Sequence, residues 1–142
     1  MTRVVCVGNR WVAADAAGPR VYDRLAAEPV PPGVEIVDGG LGGLALAPLA
    51  EGAERVVFVD AVQGFGAPGD VVVLEGPALD AVAAEPFGHG AGLGWLLRTL
   101  PLVCESPVPR LVVVGLEAPV DEGAVARGAR AALRAATAEA GT

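Results

Sequence analysis

Hydrophobic positions along the chain fall into five short runs, each stopped by glycine, proline or an acid, with longer stretches of helical spacing between them. Arg3–Val7, Val34–Val37, Arg55–Asp60, Asp70–Leu74 and Leu111–Val114 read as strands. The third, RVVFVD, organises the rest. An uninterrupted β-branched and aromatic run suits a strand covered on both faces, and an acid at its end falls at the carboxyl edge of the sheet, where open α/β folds bind ligands. After the first strand, Gly8-Asn9 breaks the pattern and Arg10–Gly18 reads as a loop holding Asp15. Pro19 suits a first helical turn, with Val21, Tyr22 and Leu25 on the apolar side. Gly39–Gly43 leads into a short helix over Leu44–Glu51, and Gln63–Gly69 reads as a turn-rich loop.

Gly76-Pro77 opens an irregular section reaching Phe87-Gly88-His89-Gly90. A helix over Ala91–Leu100 comes next, with Leu93, Leu96, Leu97 and Leu100 on one side, and Pro101–Pro109 reads as a linker. The last central strand closes on Gly115-Leu116-Glu117. From Glu122 onward, Val125, Ala129, Ala132, Leu133 and Ala136 mark a helix packed on the sheet. Strands alternating with helices make this an α/β chain with a mostly parallel five-stranded sheet in one domain over residues 1–142.

Composition sharpens the class. The 142 residues are 53% hydrophobic with 20 Gly and 12 Pro, which is globular rather than disordered. A formal net charge of −7 argues against a nucleic-acid partner, which needs clustered cations. No apolar run reaches the roughly 18 residues of a membrane span, and MTRVVCVGNR is too short and too soon interrupted for a signal peptide. Cys6 and Cys104 give no disulfide framework, so a reduced, cytoplasmic protein is expected.

Two chemistries compete for the polar residues. Gly40-Leu41-Gly42-Gly43-Leu44-Ala45 matches a dinucleotide fingerprint after a strand, with Asp60 twenty residues on to take ribose hydroxyls. Against it stand the brevity of the helix, Pro48 within it, and the place of the motif on the second strand. The other reading joins Asp15, Asp60 and His89, each at the carboxyl end of a different element. Two carboxylates and an imidazole suit a borderline metal such as nickel or zinc. No HxxxH, CxxC or Ser-His-Asp spacing is present.

The ordered blocks GNRWVAADAAGPRVYDRL, VEIVDGGLGGLALAPL, RVVFVDAV, FGHGAGLGWLL and LVVVGLEAP resemble, in sequence and spacing, those of the nickel–iron hydrogenase maturation peptidases. The resemblance covers about residues 3–119. It implies a three-layer α/β/α sandwich around a five-stranded twisted sheet. It also implies an endopeptidase that removes a C-terminal extension from the hydrogenase large-subunit precursor once nickel is inserted. Asp15, Asp60 and His89 match the family's metal contacts, the nickel being carried by the substrate. Asp38 matches an acid of the acid-glycine-glycine turn, a candidate catalytic residue or a turn-former accepting backbone hydrogen bonds. The chain departs from the pattern where Ala14 replaces one aspartate of an acidic pair, Ala16 replaces a glycine, and Arg10 and Trp11 replace small aliphatics. Ala14 leaves room for a relative that binds the large subunit without cutting it.

Overall fold

The computed structural model describes residues 1–84 and 93–138. Five strands, β1 Thr2–Val7, β2 Val34–Gly40, β3 Arg55–Val62, β4 Val71–Glu75 and β5 Arg110–Glu117, form one sheet in the order β2-β1-β3-β5-β4. All neighbours are parallel except β4 on β5. The connection from β3 to β4 explains that exception. It spans only residues 63–70, too short to return to the amino edge, so β4 must run back antiparallel beside β5.

Alternation along the strands divides the core into two layers. Val4, Cys6, Val57, Val59, Val112 and Val114 face α1 Ala17–Ala26 and α5 Glu122–Thr137. Val5, Val7, Val56, Phe58 and Val113 face α2 Ala47–Ala50, α3 Leu79–Ala83 and α4 Leu93–Val103. The expected three-layer α/β/α sandwich is therefore present. Phe58, Leu96 and Leu100 have no exposed surface, and each such side chain contributes about 1.5–3 kcal/mol through burial.

Helix ends follow local chemistry. The Asp121 carboxylate accepts the Ala124 N–H at 2.8 Å and starts α5; Arg55 donates to the Ala135 carbonyl at 2.8 Å near its end. Arg20 donates to the Val120 carbonyl and pairs with Glu122, joining α1 to the entry of α5. The expected apolar face of α4 is buried, and that of α5 is buried except for the half-buried Leu133.

Five of the elements differ from the sequence reading. β2 continues through Asp38 to Gly40, paired there with Cys6 and Val7 of β1; β3 continues through Asp60 to Val62 because β5 extends far enough to pair Asp60, Ala61 and Val62 with Gly115, Leu116 and Glu117. The expected Leu44–Glu51 helix is a 3-10 turn, Gly43–Leu46, followed by the four residues of α2. The expected irregular section after Gly76 includes another 3-10 turn, Gly76–Ala78, and α3, and its stretch from residue 85 onward lies outside the described residues. Finally, α4 runs through Pro101 to Val103 rather than yielding to a linker. Proline there forfeits one helical bond, but Leu100 is fully buried and its carbonyl accepts the Cys104 N–H at 3.0 Å, which holds the last turn.

Candidate active site

The order β2-β1-β3 reverses direction at β1, with α1 crossing on one face and α2 on the other. Strand order of this kind opens a crevice at the carboxyl ends of β1 and β3. The β1–α1 connection builds one wall. Gly8 has φ +147°, and a Cβ there would lie 2.3 Å from the Asp15 carbonyl oxygen. Gly18 is tighter still, its Cβ position falling 2.1 Å from the Val7 carbonyl oxygen. These glycines let the loop fold back on the strand end.

Within that loop a 3-10 turn, Ala13–Asp15, packs against β3. The Asn9 N–H donates to Asp15 Oδ2 at 3.0 Å, and Asn9 Oδ1 accepts the Trp11 N–H at 3.0 Å. Asp15 is half-buried and held in one orientation, while Ala14 beside it is exposed. Asp60 supplies the other wall. It is 2% exposed, and its Oδ1 accepts the Ala61 N–H at 2.8 Å. The β1–β3 ladder ends at Cys6↔Val59, so Asp60 lies one residue beyond the last β1 partner while still paired to β5. It shares the α2/α4 face with Phe58. Burying a carboxylate is costly unless it is hydrogen-bonded, paired or ligating a cation.

Asp38 is placed differently. Its β1 partner is Cys6, so alternation turns it to the α1 face, opposite to Asp60. It is exposed, and its Oδ1 accepts the Gly40 N–H at 3.0 Å, which is the turn-forming role. Its charge is felt locally. Burial, then the charges of Asp38 and Asp23, push the Cys6 thiol up to about 12, so this cysteine is protonated at neutral pH.

Asp15 and Asp60 thus both lie at the carboxyl edge of the β1–β3 pair, and Asp38 is turned to the opposite face of the sheet. Among the described residues, no group of three or more His, Cys, Asp and Glu side chains is arranged to hold a metal. His89 lies outside the described residues. Within the glycine cluster Gly39 serves packing, since a Cβ there would lie 2.8 Å from Val5 Cγ1 and 3.0 Å from Leu46 Cδ2, while Gly40 and Gly43, at φ +60° and +75° with open space around them, serve the turn. The cluster leads only into a 3-10 turn and four helical residues, with little of the aligned dipole a dinucleotide pyrophosphate would meet.

One organising residue carried no role in the sequence reading. Glu117, 6% exposed at the end of β5, accepts the Phe65 and Gly66 N–H groups at 2.7 and 3.1 Å. Its backbone also bonds Gly69 and Asp70, so it fixes the loop that leaves β3 two residues after Asp60. An acid closing an apolar strand immediately before Ala118-Pro119 was the available signal.

Acids at the carboxyl edge beside the switch point of an α/β/α sandwich stand where open α/β folds carry their binding or catalytic sites. Residues 19–140 match the family model HycI, hydrogenase maturation protease. The chain is 33% identical over 118 residues to the hydrogenase 2 maturation protease of Escherichia coli K12, covering 80% of this chain and 70% of that protein. It is 32% identical over 117 residues to the hydrogenase expression/formation protein HupD of Rhodobacter capsulatus, covering 80% of this chain. The aligned part spans about half, 55%, of that relative's length. The hydrogenase maturating endopeptidase HybD from E. coli superposes with a TM-score of 0.78 at 25% identity, over 96% of this chain and 93% of that one. The solution structure of an E. coli endopeptidase gives 0.80 at 25% identity, over 98% and 96%. The chain belongs to the hydrogenase maturation protease family. The family match begins at Pro19, so it contains the positions of Asp38, Asp60 and His89 but not Asp15.

Among the described residues, no helix is long and apolar enough to cross a membrane.

Proposed function

We propose that this chain is an endopeptidase that removes the C-terminal extension of a nickel–iron hydrogenase large-subunit precursor after nickel insertion. Family membership supports the class of reaction. The observation that supports the site is that the turn holding a hydrogen-bonded, half-buried Asp15 packs against β3, the strand that carries the buried Asp60. In this reading the substrate brings the nickel, and Asp15, Asp60 and His89 recognise it. Carboxylate oxygens with one imidazole suit nickel and would also accept zinc. The Asn9 N–H orients Asp15, and the low-dielectric setting of Asp60 strengthens its attraction for a cation. Asp38, on the other face and hydrogen-bonded to Gly40, acts as a turn-former and not as a nickel contact. The reaction belongs in the cytoplasm, where the precursor is loaded.

The test is a mass spectrum of the nickel-loaded precursor after incubation with wild type or His89→Ala. The expected result is loss of a discrete C-terminal peptide with wild type only. Equal cleavage by His89→Ala would overturn the nickel-recognition assignment.

Ala14 favours a second reading, a relative that binds the large subunit without cutting it, since the exposed position beside Asp15 lacks a carboxylate. Stable association without mass loss, converted to cleavage by Ala14→Asp, is the outcome that distinguishes it.

A further inference from the structure

The sheet ends on β4, an antiparallel strand paired only with β5 among the described residues. In such a pair, alternate residues turn their N–H and C=O groups away from the partner, so an edge strand offers a backbone template. On the α5 face of this edge, Val71 and Val73 line a groove of about 430 Å³, and Val73 is 50% exposed. The opposite wall is α5, where Arg127, Arg130 and Arg134 recur at the three- and four-residue spacing of one helix face, all exposed. Further along, the groove passes Arg134 and Ala135 to reach Glu75 and Arg110. Asp70 with Arg127 at one end and Glu75 with Arg134 at the other show that β4 and α5 run in the same direction.

The charge of this strip opposes that of the molecule. The chain has 10 Lys+Arg against 17 Asp+Glu, yet four of its arginines line the groove. Its two acids are engaged: Asp70 Oδ2 accepts the Ala67 N–H at 2.8 Å, and Glu75 pairs with Arg110 at 3.3 Å. Arg127 uses one donor on the Gly69 carbonyl and has others to offer.

We propose that this groove accepts an extended acidic segment of a partner protein, which adds to β4 as a sixth strand and sets its carboxylates against Arg127, Arg130 and Arg134. The spacing fits. Alternate side chains of a strand repeat at about 6.6–6.8 Å, and Arg130 and Arg134 are separated by about 6 Å of helical rise. Arginine is long enough to reach beyond the sheet edge, and its fork matches a carboxylate. A peptide suits both halves of the groove, whereas a phosphate polymer would leave the strand edge unused and meet the acidic surface around it.

The proposal is tested with a fluorescent octapeptide of alternating Glu and Val, a Lys-Val counterpart, and a Glu-Val peptide N-methylated at alternate residues. Each is titrated against wild type and the double variant Arg130→Glu/Arg134→Glu, with sedimentation of both proteins. Expected are saturable binding of the Glu-Val peptide by wild type, weakening of about tenfold or more in the double variant, and loss on N-methylation. The double variant should instead bind the Lys-Val peptide, which also shows that it is folded. Absence of saturable binding by wild type, or binding indifferent to the charge reversal, would overturn the proposal. So would full retention by the N-methylated peptide, which would mark a general anion site. A wild-type dimer lost in the double variant would assign the edge to a second copy and equally overturn it.

Discussion

The two faces of the sheet are packed by different means. On one, small residues let the helices approach: Gly18 of α1 lies against the Val7 backbone of β1, Gly128 of α5 against the Leu116 and Val21 side chains, and Ala17, Ala124, Ala129 and Ala132 are buried beside them. On the other, Phe58, Leu46, Leu93, Leu96, Leu97 and Leu100 fill the space under three helices, two of them of only four and five residues. The first face gains from proximity and has no slack. The second is held by large side chains under short, separate helices. Asp60 lies on that second face, whereas the turn holding Asp15 leads into the first. The candidate site therefore joins a rigid wall to a segmented one.

This contrast can be broken most severely at Gly18. A Cβ there meets Val7 backbone atoms at 2.1, 2.7 and 2.8 Å, which no side-chain rearrangement can relieve. Gly18→Ala should lose about 3 kcal/mol or more, or fail to fold, as read by urea unfolding. Leu96→Ala, in the other layer, should cost about 2–5 kcal/mol in the same assay while remaining folded, since neighbouring leucines can move into part of the cavity. If the leucine variant proved the more disruptive, the distinction between the faces would fail.

The smallest effect concerns how the segmented face is tied together. Glu51, just after α2, accepts hydrogen bonds from the Ser106 side chain and from the Ser106 and Glu105 N–H groups. The Ser106 hydroxyl contact and these N–H groups hold its carboxyl below the usual carboxylate range. A depressed folded-state value stabilises above the unfolded carboxyl value, and that contribution is lost as pH falls through the folded value. Ser106→Ala should raise the Glu51 titration seen by NMR toward the ordinary value and flatten this acid-side dependence slightly.

Much of the fold was legible because its signals are local. Apolar runs of β-branched residues marked all five strands, and three- to four-residue spacing marked the buried faces of α4 and α5. Strand ends were less legible. Asp60 reads as the last residue of β3, but β5 pairs onward to Val62; a strand's length depends on its partner's reach. The helix through Pro101 was hidden for a similar reason, since the burial of Leu100 outweighs a local breaker.

At the site, the sequence by itself determined the chemistry available: carboxylates at Asp15, Asp38 and Asp60, an imidazole at His89, and glycines where the chain must turn sharply. Only the tertiary structure decided how the described acids are sorted. Strand order placed Asp15 and Asp60 at the same carboxyl edge, and register with β1 turned Asp38 to the opposite face. Neither property belongs to a single segment. Both arise when hydrogen-bond ladders fix which residues of distant strands stand side by side, and a pleated strand sends neighbouring registers to opposite faces.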